Sequence, residues 1–170
     1  MKLLAATLLL LTPLTPTLGP GAVLDLHRQL FTALDTGDAA KALTYLDTTS
    51  TDGYAEGQNG GLASPSLQLL DATNHPVSAY GPDACRALLT TLARPANDPT
   101  PWRTKIVSSR SDCPSGDLSY AVLEFERMRG DSGPVTRYRS TALTRWTRDG
   151  GMKLFHWHVS LAPVPETKKD

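Results

Sequence analysis

The second half of the sequence is dominated by long β-compatible runs joined by short, glycine-flanked turns. The runs cover about residues 103–110, 118–129, 135–148 and 152–161. The last two turns are centred on Asp131-Ser132 and Asp149-Gly150, and this composition favours two-residue hairpin loops. We therefore predict consecutive antiparallel strands at the end of the chain.

Helical periodicity marks the first half instead. Apolar residues recur at three- and four-residue spacing over residues 23–34, and Gly37 follows at a typical C′ position. Asp38 is a suitable N-cap for a short second helix. Residues 66–80 indicate a hairpin, and residues 82–92 indicate a third helix that opens with a proline. Helices followed by strands predict an α+β fold.

Two-residue loops would fix which side chains share a face of the sheet. One face would be apolar and covered by the helices, and it would contain Ala121, Leu123, Phe125, Tyr138, Ala142, Trp146, Phe155, Trp157 and Val159. The other face would contain Tyr120, Glu124, Glu126, Arg137, Arg139, Arg145, His156, His158 and Ser160. Glu124 would then lie opposite Arg139, and Glu126 opposite Arg137. A bulge or a longer loop in the second hairpin would swap the face of the histidines.

The first 21 residues have the organisation of an export signal. Lys2 precedes a largely apolar run over residues 3–11, which is too short to span a bilayer. Gly19 and Gly21 are the small residues that follow, and cleavage is expected after Gly21. An uncleaved helix is the alternative, although three prolines in this stretch disfavour it. We predict a signal peptide over residues 1–21 and a secreted or periplasmic protein.

The balance of charged residues limits the classes of partner that the chain is expected to bind. Lysine plus arginine balances aspartate plus glutamate, 17 against 17, so no basic excess indicates nucleic acid. Once the signal is removed, no membrane association is expected. The remaining length fits a single domain over residues 22–170, with a short disordered tail at about 163–170.

The chain has two cysteines, Cys85 and Cys113. In an oxidising compartment a bond between them would close a loop of 29 residues and contribute roughly 3.6 kcal/mol. The alternative is two separate thiols, because Cys85 lies on the apolar stripe of the third helix. A disulfide is the prediction.

The order of elements and the stretches Trp146-Thr147-Arg148-Asp149-Gly150 and His156-Trp157-His158-Val159-Ser160 resemble the nuclear transport factor 2-like superfamily. The likeness is to its SnoaL-like and calcium/calmodulin-dependent kinase association-domain branch, although Met152 stands where that branch usually has tryptophan. It covers about residues 23–162. It implies an α+β cone, in which a curved antiparallel or mixed sheet wraps around about three N-terminal helices and encloses an apolar pocket. It also implies a homodimer through the outer face of the sheet.

Function is less constrained than fold, because the superfamily contains ketosteroid isomerase, scytalone dehydratase and polyketide cyclases beside binding modules. No position matches the aspartate base of the isomerases or cyclases. We therefore expect a small-ligand-binding or homo-oligomeric assembly module that uses no cofactor. The alternative is a cofactor-independent lyase or isomerase with His156, His158 or His27 as general acid/base.

Each histidine also has a structural interpretation. His156 and His158 are predicted as a polar ladder on the outer or dimer face, with a role in the pocket as the alternative. No metal is predicted, since no spacing supplies a convincing third ligand. His27 lies on the apolar stripe of the first helix and is predicted as a core residue.

Five residues are candidates for ligand binding. The resemblance implies that Arg137, Arg139 or Arg145 could meet an anionic ligand, because association domains place arginine in their pocket. Tyr54, in a Gly-rich stretch predicted as a surface loop, and Tyr80 could supply hydroxyl groups at a pocket mouth. The paired carboxylates of Glu124 and Glu126 are predicted to be structural.

Overall fold

The computed structural model describes residues 20–48, 65–71, 73–114, 118–147 and 151–163. Three helices and six strands follow in chain order: α1 (Pro20–Thr36), α2 (Ala39–Thr44), β1 (Ser66–Leu70), β2 (Pro76–Tyr80), α3 (Pro82–Leu92), β3 (Trp102–Asp112), β4 (Leu118–Arg129), β5 (Val135–Trp146) and β6 (Met152–Leu161). The predicted α+β class is confirmed. Within these ranges no helix is long and apolar enough to cross a membrane.

Some predictions concern other parts of the chain. Residues 1–19 of the predicted signal peptide lie outside the described residues, and Pro20 and Gly21 begin α1. Tyr54 also lies outside them, as do the two-residue loop at Asp149-Gly150 and most of the predicted tail, residues 164–170.

The six strands form one mixed sheet in the order β2-β1-β6-β5-β4-β3. β1 pairs in parallel with β6, while the other pairs are antiparallel. Just after α2, Leu46 forms an isolated parallel bridge with Leu154 on β6. This bridge lies on the same edge of β6 that β1 pairs with. Asp47 and Ser66 therefore lie beside neighbouring parts of β6.

α1 ends where its sequence predicts. Gly37 adopts a φ of +80°, and a Cβ there would lie 2.6 Å from the carbonyl oxygen of Arg94. Any other residue would suffer both the positive φ and this contact. Asp38 then caps α2, because its Oδ1 accepts from the backbone N–H of Lys41 at 2.9 Å.

The register predicted for the first long hairpin is confirmed. Phe125 pairs with Tyr138, and Glu124 and Glu126 face Arg139 and Arg137. The apolar face of β4 lies under the helices, where Leu123 is buried.

The second hairpin departs from the prediction at two places that cancel. Trp146 pairs with Met152 and not with Lys153, so this end of the ladder is one residue out of the predicted register, and a bulge between Leu143 and Thr144 then restores it. Beyond that bulge His156 faces Leu143, which keeps the histidines on the outer face. The prediction that Phe155 lies inside is wrong, because the shift buries Leu154 instead.

The interior between helices and sheet is aromatic as well as aliphatic. The ring of Phe31 on α1 lies 4.7 Å from that of Phe125 and 6.0 Å from that of Trp157, measured between centroids. Phe125 stacks on Tyr138 at 5.2 Å. Such offset ring pairs add to the stabilisation from buried apolar area, so this cluster ties α1 to β4, β5 and β6.

The predicted disulfide is absent, since both thiols are free. Cys85 is buried on α3, where its Sγ donates to the carbonyl oxygens of Pro65 and Ala79 beside β1 and β2. Cys113 follows β3, which is the opposite edge of the sheet. Burial raises the pKa of the Cys85 thiol to about 11, so it stays protonated as a core side chain.

Candidate functional site

A cavity of about 280 Å³ lies between the helices and the inner face of the sheet. Its volume is near the lower end of the range for small-molecule sites, which is roughly 300–1,000 Å³. Seven elements contribute residues to it: α1, α3, β1, β3, β4, β5 and β6. The buried side chains of Leu69, Phe125 and Trp157 form its floor, and exposed Arg129 and Pro134 lie at its mouth.

The wall of this cavity carries one mostly buried cation, Arg127. Its position follows from the pleat of β4, since residues 123, 125 and 127 point to the same side. The guanidinium carbon lies 4.3 Å from the centroid of the Trp102 ring, which is a cation–π contact. Its Nη2 donates to the carbonyl oxygen of Leu92 at 3.2 Å.

Asp35 supplies the countercharge. Its Oδ1 lies 3.4 Å from Nη2 of Arg127, and the two side chains are only 12% and 21% exposed. The carboxylate is held by Thr104, whose backbone N–H and hydroxyl donate to it at 2.6 and 2.9 Å. Asp35 thus joins the end of α1 to β3 and faces the arginine from a fixed position.

The hydrogen bonding of Arg127 remains incomplete. Its Nε is buried and has no partner among the described residues. Burial lowers the pKa of the guanidinium, while the charge of Asp35 opposes that shift. Because arginine stays protonated even so, the cavity wall carries a mostly buried positive charge.

The turn between β1 and β2 lies at the mouth. Asp71, which lines the cavity, accepts from the hydroxyl and backbone N–H of Thr73 at 2.6 and 2.8 Å. The hydrogen bond from the Thr73 hydroxyl is the main reason that the pKa of Asp71 is lowered. Tyr138 donates its hydroxyl to Asn74 at 3.3 Å, and Asn74 has a φ of +62°. The hydrogen bond between Asn74 and Tyr138 therefore tethers this end of the turn to β5.

The arginines predicted to bind a ligand lie elsewhere. Arg137 and Arg139 both donate to Glu124 at 2.9 Å on the outer face. The hydrogen bond from Arg139, aided by the charge of Arg137, lowers the pKa of Glu124. Arg145 pairs with buried Asp47 and lies over the ring of Phe155. None of these three arginines lines the cavity.

Tyr80 also lies away from the cavity. It ends β2, opposite Ser66 on β1, and is 49% exposed. Of the five predicted ligand-binding residues, the four that the structure describes thus belong to the outer face or its rim.

The histidines are not in the cavity wall either. His158 is exposed on the outer face, and Nδ1 of His156 lies 2.7 Å from the Ser66 hydroxyl oxygen. Burial, and then the charge of His158, lowers the pKa of His156. His27 is fully buried on α1, where its Nδ1–H donates to the carbonyl oxygen of Val23 at 2.8 Å. A histidine could act as general acid or base in the cavity only if it lay in the cavity wall, and none of these three does.

His27 makes stability depend on pH. Burial lowers its pKa despite the hydrogen bond to Val23. As the pH falls, His27 therefore takes up a proton in the unfolded chain while it is still neutral in the folded chain. The free energy of unfolding therefore has its full value above the ordinary histidine pKa of about 6.5. As the pH drops below that value, the free energy of unfolding decreases by at most about 1.4 kcal/mol per pH unit.

Urea unfolding between about pH 7.5 and about pH 5.5 measures this effect. We expect His27→Leu to flatten the decline relative to the wild-type chain, leaving only the smaller contribution of His156. An identical pH slope in both chains would contradict the assignment.

Solved structures of nuclear transport factor 2-like proteins align with most of the chain. An NTF2-like family protein from Streptomyces avermitilis, proposed to be a dehydratase, is 16% identical with a TM-score of 0.64, over 85% of this chain and 96% of that one. The CaMKII hub of S. rosetta is 20% identical with a TM-score of 0.57, over 89% and 100%. A protein of Parabacteroides distasonis, proposed to be a ketosteroid isomerase, is 14% identical with a TM-score of 0.55, over 89% and 93%.

The chain therefore has the nuclear transport factor 2-like α+β cone fold, as its sequence predicts. No protein-family model and no curated protein matches the sequence. At identities of 14–20% the likeness establishes the fold, and function has to be argued from the cavity itself.

Proposed function

We propose that the chain is a ligand-binding module whose cavity holds a small, largely apolar molecule with one acidic group. The observation that carries this proposal is the guanidinium of Arg127, which lies in the cavity wall while its Nε has no partner among the described residues. A carboxylate is the group that best fits a guanidinium edge, since both are planar and the hydrogen bond is charge-assisted.

The rest of the cavity supports an apolar body for the ligand. Phe31, Phe125, Tyr138 and Trp157 line it beside aliphatic side chains, and ligand sites commonly combine such walls with a few placed polar groups. The indole of Trp102 already lies against the guanidinium, so the charged group is oriented before a ligand arrives.

A matched pair of probes tests the role of charge. We expect 3-phenylpropionate to raise the melting temperature more than 3-phenylpropionamide does, by about 2–4 °C for each kcal/mol of extra binding free energy. Arg127→Met keeps the apolar stem and should weaken acid binding by about tenfold or more, since a hydrogen bond to a charged group contributes roughly 1.5–3 kcal/mol. The amide should bind both chains alike.

Arg139→Met is the control, because this arginine lies on the outer face and pairs with Glu124. It should leave the preference for the acid unchanged. Equal shifts with acid and amide in the wild-type chain would contradict the proposal. So would an equal loss of acid binding in the two arginine variants.

We also propose homodimerisation through the outer face of the sheet. Val122, 36% exposed, lies near the middle of that face opposite Thr141, and the neighbouring row contains Tyr120 and Leu143. Sedimentation velocity should show a dimer for the wild-type chain and a monomer for Val122→Arg, which introduces a charge into the contact. A wild-type monomer at micromolar concentration would overturn this part of the proposal.

Export stays a proposal that rests on residues 1–21. In a bacterial host that secretes the chain, we expect the mature protein to begin at Ala22. N-terminal sequencing of the exported and the cell-associated chain tests this, and an intact Met1 in an exported chain would contradict it.

A further inference from the structure

The outer face of β6 holds two histidines side by side. His156 and His158 flank Trp157, whose side chain is buried, so both imidazoles leave the opposite side of the strand. Residues two apart on a strand are separated by roughly 6.7 Å along it. The charge of His158 acts on His156 and lowers its pKa, which is consistent with neighbouring rings.

β1 holds one of these rings in place. Ser66 pairs with His156 across the parallel ladder, and its hydroxyl oxygen lies 2.7 Å from Nδ1. Ser66 itself is 2% exposed, so this contact is fixed by the sheet. With Nδ1 engaged, Nε2 is the nitrogen of His156 that a ligand can use. Metal-binding histidines are commonly held in this way through their second nitrogen.

We propose that His156 and His158 chelate a divalent transition-metal ion of the zinc or copper class on the outer face of β6. Neutral imidazole is a preferred ligand of these ions, with metal–nitrogen distances of about 2.0–2.1 Å for zinc. Two rings that project from one rigid strand reach a common ion without any movement of the backbone. Water completes the coordination.

The surroundings of the pair suit a cation. The residues directly opposite His158 are Gln68 and Thr141, which bring no positive charge and offer oxygen atoms. Arg139, opposite Ser160 on the same face, has its charge paired with Glu124. No group of three or more histidine, cysteine, aspartate or glutamate side chains is arranged for a metal within the part of the chain that the structure describes. The ion is therefore exchangeable, unlike a closed structural zinc.

Two titrations of the untagged full chain test the chelate. Cys113→Ser serves as the background, which removes a competing thiol. Calorimetry with zinc sulfate should give one ion per chain, and the electron paramagnetic resonance spectrum with copper sulfate should show nitrogen ligands. His156→Ala and His158→Ala should each weaken binding by about tenfold or more, and the double variant should abolish it. Ser66→Ala, which frees the ring of His156, should weaken it by about tenfold.

Two further chains make the result decisive. His75→Ala removes an exposed histidine in the β1–β2 turn and should bind as the parent does. Val122→Arg adds a positive charge two strands from His158 and should lower the affinity slightly, but it should still bind one ion per chain, which places the site within one chain. Circular dichroism checks that each variant is folded. Unchanged stoichiometry and affinity in the double histidine variant would overturn the proposal, and so would loss of binding in Val122→Arg.

Discussion

Replacing Trp157 by alanine is expected to lower the free energy of unfolding by about 3–5 kcal/mol. Trp157 is 2% exposed and packs against Phe31, with the ring centroids 6.0 Å apart. Alanine removes the aromatic surface that joins α1 to β6 and leaves a cavity that the sheet cannot close, because strands on both sides fix the backbone of β6. Urea unfolding followed by circular dichroism measures the loss.

The adjacent residue provides the control for that prediction. His158→Ala changes a side chain on the opposite face of the same strand, and an exposed substitution of this kind should alter stability by about 0.5 kcal/mol or less. Trp157→Phe should fall between the two, since it keeps a ring and removes an indole N–H that has no partner among the described residues. Equal losses for Trp157→Ala and His158→Ala would mean that the register of β6 is wrong.

Replacing Asp35 by alanine is expected to cost about 3–5 kcal/mol as well, for an electrostatic reason. The substitution removes the acceptor of two hydrogen bonds from Thr104. It also leaves Arg127 as a mostly buried charge without its carboxylate. A buried guanidinium without a countercharge destabilises the folded chain far more than a site with no charge at all. The loss in free energy of unfolding therefore exceeds the loss expected from two neutral hydrogen bonds.

A double-variant cycle separates these contributions. Asp35→Asn keeps an oxygen for the Thr104 N–H and should cost less than Asp35→Ala. The chain with both Asp35→Ala and Arg127→Met should be more stable than the sum of the single losses predicts, since it no longer holds an unpaired charge. Strict additivity would show that the two side chains do not interact.

Much of the fold could be predicted because local signals agree with one another. Gly37 ends α1 at a position where only glycine fits, and Asp38 caps α2. The first long hairpin has its predicted register because alternation of apolar and polar residues in β4 and β5 permits only one buried face. The parallel pairing of β1 with β6 has no comparable local signal, since it joins residues 90 positions apart.

Where one strand departs from alternation, the prediction was wrong for one residue. Phe155 lies outside because β6 pairs one position out of the predicted register from Met152 to Leu154, and a bulge then restores that register. Beyond the bulge the strand pairing has the predicted register, so His156 and His158 lie on the predicted face. A turn sequence does not encode a bulge several residues away, and the pattern alone could not supply it.

The arginines predicted to bind a ligand lie on the opposite side of the sheet from the cavity. Arg137, Arg139 and Arg145 have the outward parity of β5, and each has an acid for a partner. Arg127 has the inward parity of Phe125 and is the residue that reaches the cavity. A charged residue at an inward position of a strand is itself a signal, because its burial requires a partner. Asp35, which provides that partner, is distant in sequence and could not be paired with it in advance.

A crystal structure of the chain with 3-phenylpropionate tests the central claim most directly. We predict the carboxylate within about 2.7–2.9 Å of a guanidinium nitrogen of Arg127, with the phenyl ring between Phe125 and Trp157 and Asp35 still bound to Thr104. A cavity that stays empty at saturating acid, or an acid that binds with its carboxylate away from Arg127, would contradict the account.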